Sequence, residues 1–145
     1  MHQSNRFVRI STTRLAGALG AAALALSLAG CGGAPREQHI QWVARDAWDP
    51  TCAEKAMVET WKAENPRWKI KGEVYVVDVE AKFRLSDDCK SGLPLLGKSY
   101  KSLEVATYKS QGLEMSRCKK DGAVGWALPG NESSRCWTGP TLLKQ

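Results

Sequence analysis

The clearest pattern in the chain is an alternation. Tyr75, Val77, Val79, Ala81, Phe83 and Leu85 are apolar at odd positions, and Asp78, Glu80, Lys82 and Arg84 fill even ones. Period two over this length predicts a β-strand with one buried and one solvated face. Val74 and Val76 are apolar as well, so the start of the strand is expected to be covered on both sides. The acids and bases of the wet face read as cross-strand pairs rather than as a binding strip.

Upstream the period changes. Ile40, Val43, Ala44 and Ala47 recur at spacings of 3, 4 and 7, which predicts one face of a short helix from Glu37 onward, flanked by Trp42 and Trp48. Asp49-Pro50 ends it, because the residue before a proline is pushed out of the α region. A second helix is expected at once. Thr51 and Glu54 have the spacing of a capping box, Asp49 with Pro50 at the first helical position is an equally acceptable start, and Ala53, Ala56, Met57, Thr60 and Trp61 form an inward stripe that stops at Asn65-Pro66.

Downstream, Asp87 to Gly92 is a polar loop and Leu93 to Gly97 a short apolar one. Asp87 and Asp88 lack the further oxygen ligands that a calcium loop needs. Tyr100 to Lys109 is β-prone, Ser110-Gln111-Gly112 reads as a turn, and Leu113 to Cys118 as a partner strand. Lys119 to Gly122 gives a second hairpin signal, and Ala123 to Leu128 returns with Val124, Trp126 and Leu128 on one face. The predicted class is therefore α+β: N-terminal helices packed on a roughly four-stranded antiparallel sheet, a helix-on-sheet roll of the cystatin-like kind by analogy.

The first thirty residues stand apart from this pattern. Arg6, Arg9 and Arg14 precede an uncharged run from Leu15 to Gly30, and Leu28-Ala29-Gly30-Cys31 closes it. A basic start, a short apolar stretch and small residues before a cut mark a secretory signal. The run is too short and too rich in Ala and Gly for a spanning helix, which needs about 20 apolar residues. The four residues ending at Cys31 resemble the lipobox of bacterial lipoprotein precursors. That resemblance implies cleavage before Cys31 and acylation of its thiol. Gly32, rather than Asp, at the next position implies an outer-membrane destination where the host has two membranes. The expected organisation is thus a leader over 1–30, a tether over 31–36 and one small domain over 37–145.

The leader changes the charge and cysteine arithmetic. Three of the 21 basic residues and none of the 15 acidic ones lie in it, so the remaining 115 of the 145 residues carry +3 rather than +6. Lysines and arginines are scattered, which argues against a nucleic-acid footprint. With Cys31 assigned to the lipid, Cys52, Cys89, Cys118 and Cys136 remain, an even number in an exported chain, which predicts two disulfides. Three pairings are possible; Cys52–Cys89 with Cys118–Cys136 is preferred because each closes a loop of moderate length. No CxxC pair is present and His39 is the one histidine after the leader, so neither a metal site nor a cofactor is expected.

Catalytic furniture is thin. His39 lies on no motif, Ser102, Ser116, Ser133 and Ser134 lack a nucleophile-elbow setting, and Asp78 and Glu80 share their row with Lys82 and Arg84, which neutralise it. No enzyme is expected. The aromatics are the better guide, since all six tryptophans follow the leader. Trp61 and Trp126 fall on inward stripes. Trp42, Trp48, Trp68 and Trp137 sit beside loops or termini, where such rings either anchor partners or close the ends of a small core. The first expectation is a membrane-anchored module that binds an envelope protein or glycan: an assembly, inhibitory or exclusion factor. The alternative is a carrier of a small apolar ligand, with a pocket lined by Met57, Trp61, Val77, Phe83 and Trp126.

Overall fold

The computed structural model describes residues 33–93 and 97–139, so the leader, Cys31, Pro94 to Leu96 and Pro140 onward lie outside the described residues. One helix, α1 (Glu37–Trp48), precedes a four-stranded antiparallel sheet. The sheet contains β1 (Ala56–Ile70), β2 (Val74–Leu85), β5 (Val105–Lys120) and β6 (Ala123–Ala127) in the order β1-β2-β5-β6. A two-residue pair, β3 (Cys89–Lys90) and β4 (Ser99–Tyr100), sits in the connection between β2 and β5.

Strand β2 is the sheet's spine, as its alternation predicts. Its odd residues are all buried, and Ala81, Phe83 and Leu85 have no exposed surface. Directly opposite residues in an antiparallel pair share a face. Ala56, Val58, Trp61, Ala63 and Trp68 of β1 therefore lie on that inner side with Ala106, Tyr108, Leu113 and Met115 of β5. Helix α1 crosses the inner side against β5 and β6, placing Ile40, Val43 and Ala44 in the core. On the outer side Glu59–Arg84, Arg67–Asp78, Lys69–Glu114 and Lys109–Glu80 pair across strands. Exposed pairs of this kind contribute about 0–1 kcal/mol each, so this face is solvated surface. Val76 is nonetheless buried on it, as the apolar start of the strand implies.

The expected second helix is not formed. Asp49, rather than Thr51, accepts the N–H groups of Thr51 and Cys52, at 3.0 and 3.4 Å, and the helical signal is spent on a single 3-10 turn, Ala53–Lys55. The chain then becomes β1. The misleading signal has a physical cause: β1 carries an extra residue between Val58 and Thr60, so its inward positions are 56, 58, 61 and 63. Of the expected stripe, Ala56 and Trp61 do face inward, whereas Met57 and Thr60 lie opposite Arg84 and Lys82 on the outer side, and Val58, Thr60 and Trp61 suit a pleated surface. Lys71-Gly72-Glu73, with Gly72 at φ +79°, supplies the turn into β2. The turn expected at Ser110 to Gly112 is a bulge as well. The strand runs through it from Val105 to Lys120, one residue longer than β2 between Val77 and Val79, with Gly112 at φ +91°.

Both expected disulfides are present. Cys52–Cys89 lies in a small second core with Leu85, Tyr100 and Ala106, and Cys118–Cys136 in a third with Ala127. The first ties the end of α1 to the β2–β5 connection, and the second ties the C-terminal segment to β5.

Candidate functional site

After β6 the chain turns at Pro129-Gly130 and comes back along the sheet edge as a strap. Arg135 N–H donates to the Asn131 carbonyl at 2.9 Å, and Trp126 and Trp137 then exchange two backbone hydrogen bonds at 3.0 Å. The strap lies so close to β6 that a Cβ on Gly125 would run into the Trp137 carbonyl, which is why a glycine is required there. On the inner side the Trp137 ring stacks on Trp42 of α1, with centroids 3.8 Å apart. Arg135 donates from Nε and Nη2 to the two oxygens of Asp46, at 2.8 and 2.6 Å, and Trp137 Nε1 donates to the same carboxylate at 3.3 Å. The Asp46 side chain is almost wholly buried and that of Arg135 about one-third exposed. A two-pronged geometry with a third donor satisfies the carboxylate, which is the condition for a buried pair to hold its place. It also keeps the Arg135 pKa above its ordinary value.

Beside the strap opens a cleft of about 430 Å³ lined by Glu54, Lys120, Ser134, Arg135, Cys136, Trp137, Thr138 and Gly139. Its chemistry is mixed: one acid, an ammonium, two hydroxyls, an arginine already held by Asp46, and the indole of Trp137. Such a surface offers several donors and acceptors to a polar chain, a peptide or a sugar. It holds no histidine or thiol beside a nucleophile.

The four tryptophans expected either to anchor partners or to close the ends of the core all pack against other aromatic rings. Trp42 is buried in the stack on Trp137, Trp48 packs between Phe83 and Tyr100 at 5.5 and 5.1 Å, and Trp68 packs on Tyr75 at 5.1 Å. Trp137 alone of the four also lines the cleft. Four of the five residues expected to line an apolar pocket meet in the packed core, and Met57 does not join them. Val77, Phe83 and Trp126 fill the core, Trp61 packs at its margin, and Met57 lies opposite Arg84 on the outer side, 42% exposed. Met57 lies between inward-facing Ala56 and Val58, so the pleat itself turns it outward. His39 has burial and the nearby Arg36 lowering its pKa, and neither ring nitrogen has a hydrogen-bond partner, so no acid orients it as a base. Asp88 accepts the Ser102 N–H at 2.7 Å and faces Lys101.

Sequence reasoning missed Asp46, Arg135, Glu54 and Lys120. No local signal marks the first two: they are 89 residues apart and meet because the strap returns to the helix. The nearest hint was that Arg135 and Trp137 flank a bridged cysteine.

No protein-family model matches the chain, and comparisons with curated proteins and with solved structures return no match.

Proposed function

We propose that this protein is a lipid-anchored module of the bacterial cell envelope that binds a protein or glycan partner and does not catalyse a reaction. The observation that carries the reading is Leu28-Ala29-Gly30-Cys31 at the end of an uncharged run, directly ahead of a domain closed by two disulfides. Disulfides persist in the exported compartments to which such an anchor leads. The tether from Cys31 to Arg36 would keep the domain close to the membrane and raise its effective concentration around an envelope partner. Binding rather than catalysis is supported by the isolation of His39 and by the polar cleft along the strap. A single helix on a curved antiparallel sheet is an arrangement shared with cystatin-like rolls, an analogy that leaves function open.

The test has two parts. Fatty-acid labelling of the full chain in a bacterial host is expected to mark the protein and to vanish in Cys31→Ser, with loss from the membrane fraction. A membrane-bound, unlabelled Cys31→Ser protein would overturn the anchoring. A photo-crosslinker at Thr138 is expected to give an envelope adduct that Lys120→Glu weakens. Absence of any adduct would remove the cleft from the reading.

A further inference from the structure

We propose that two copies of this chain associate through the stretch of β5 edge that β6 leaves open, pairing antiparallel about Thr107 so that their sheets continue as one. The proposal goes beyond the reading of an envelope-binding module and does not depend on an anchor at Cys31.

Unequal strand lengths leave the edge open. Strand β5 has 16 residues, whereas β6 has 5 and pairs only with Ser116 to Lys120. The strap bridges β6 at Trp126 rather than β5. From Val105 to Met115 the strand therefore has β2 on one side and, among the described residues, no strand on the other. Leu85 shows which backbone groups face that open side. Its N–H donates to the Glu104 carbonyl at 2.9 Å, and its C=O accepts from the Leu103 N–H at 2.8 Å. Opposite pairs in an antiparallel ladder alternate between bonded and unbonded. Phe83–Ala106 and Ala81–Tyr108 are then bonded, and Val105, Thr107 and Lys109 stand in the unbonded pairs with Arg84, Lys82 and Glu80. The N–H and C=O groups of these three residues point away from β2, and no backbone hydrogen bond between described residues reaches them there. All three residues are exposed. A row of accessible backbone groups at this spacing is matched by an extended polypeptide, which offers the same row in return.

The two long strands treat their open sides differently. Strand β1 carries Lys62, Lys69, the left-handed Asn65 and Pro66. Between Val105 and Gln111, β5 has no proline and no residue at positive φ, and its one charge, Lys109, lies 3.5 Å from Glu80 of β2. Val105, Thr107 and Tyr108 are β-branched or aromatic, the types that suit a paired strand. An accessible edge without such guards is one that pairs.

The residues along the edge select a second copy. With a two-fold axis at Thr107, the two threonines face each other, Val105 of each copy faces Lys109 of the other, and Ala106 faces Tyr108. No like charges meet. The stem of Lys109 covers Val105, which is 39% exposed in the single chain. The small, buried Ala106 stands beside the bulkier Tyr108. The bonded pairs of this register exchange about six backbone hydrogen bonds. An axis at Lys109 would instead set two ammonium groups against each other. One at Val105 would call on Leu103, which is held in a turn at φ +67°. Self-complementarity of this kind is what an isologous interface requires.

The test uses the full chain purified in detergent. Sedimentation equilibrium is expected to show a dimer. Thr107→Cys is expected to form a reducible dimer on mild oxidation, since the axis sets the two Cα atoms about 5.5 Å apart, within disulfide range. Val105→Cys and Lys109→Cys should bridge only when the two proteins are mixed, and Thr60→Cys, on β1, should not bridge. Val105→Lys meets a lysine twice across the axis and should raise the dimer dissociation constant about tenfold, with the urea midpoint of the dilute protein unchanged. Adding Lys109→Glu to it should restore the dimer. Thr107→Pro removes an N–H on the open side without touching the bonds to β2, and should weaken the dimer likewise. A parent that stays monomeric at the highest concentrations reached would overturn the proposal. So would a dimer indifferent to Val105→Lys and Thr107→Pro, or bridging from Thr60→Cys as readily as from Thr107→Cys. A Thr107→Cys disulfide formed in intact cells with another protein in place of a second copy would overturn it too.

Discussion

The two edges of the sheet are protected in opposite ways. At β6 the edge is covered: Trp137 pairs with Trp126, Cys136 is bonded to Cys118, and Asp46 reaches from α1 to Arg135. At β1 a 15-residue strand has no neighbour on its outer edge among the described residues. That edge is guarded by its own sequence instead. Lys62 and Lys69 are exposed along it, Asn65 is held at φ +52°, and Pro66 has no N–H to offer. Charges, proline and bulges are how natural proteins keep open edges from pairing with other chains. One edge is closed by long-range covalent and buried polar links, the other by local residues. The closed edge is thus the fragile one under substitution, and the open edge is the one whose failure shows as association.

Breaking the disulfide of the closed edge is expected to have the largest effect. Cys118→Ala with Cys136→Ala opens a loop of 18 residues and should lower stability by about 3 kcal/mol, read from the urea midpoint. Asp46→Ala leaves Arg135 and the Trp137 indole without their acceptor. Removing one member of a buried pair costs about 3–5 kcal/mol. The partial exposure of Arg135 lets water replace the acceptor, so a loss near 2–3 kcal/mol is expected, with weaker quenching between Trp42 and Trp137 as the local sign. Gly125→Ala pushes a methyl against the Trp137 backbone and should cost about 2 kcal/mol, in the range of overpacking, with the strap displaced in proteolysis.

These substitutions also mark how far the sequence was readable. The alternation in β2, the stripe Ile40-Val43-Ala44 of α1 and the presence of two disulfides were legible, because each is a short-range pattern or a count, while the pairing was a preference from loop length. Strand β1 was not, since an extra residue at Glu59 breaks its alternation, and Ala56 and Trp61 fall on a helical spacing with Met57 and Thr60, which face outward. Pairing with β2 overrode the local signal. The single strand β5 was misread as two for the same reason, a bulge at Gly112 taken for a turn. Asp46 with Arg135, and the cleft beside them, depend on contacts across nearly the whole domain, and no window of sequence contains them. Tryptophan positions were found, and closing the ends of a small core was one of the two duties expected of them. Rings beside loops closed the core, and Trp137 alone does so while facing the cleft.

On the open edge the expected stability effects are small and the association effects large. Lys62→Val with Lys69→Val removes two exposed pairs, with Glu64 and Glu114, and should leave the urea midpoint within about 0.5 kcal/mol. The same protein is expected to sediment as oligomers at concentrations where the parent is monodisperse. An unchanged sedimentation profile would mean that Asn65 and Pro66 guard the edge without help from charge.

Acid provides the finest separation of the two edges. Asp78 accepts a hydrogen bond from Asn65 Nδ2 at 2.9 Å and lies 3.7 Å from Arg67, and these contacts, the first above all, hold its pKa below the usual carboxylate value. A carboxylate with a depressed folded-state pKa contributes stability above its unfolded value, and the contribution is lost as pH falls through the folded one. The side chain is partly exposed at the sheet surface, so solvent screens these contacts and the effect is local. Lowering the pH below about 4, the ordinary aspartate range, should release Asn65 from its left-handed conformation and reduce hydrogen-exchange protection of amides around the Glu64–Arg67 bulge. Asp78→Asn should show the reduced protection already at neutral pH and lose the pH dependence. If the bulge amides of the Asp78→Asn protein are as protected as in the parent, backbone pairing with β2 alone sets the bend. The guard on the open edge then resides in Pro66 and the lysines.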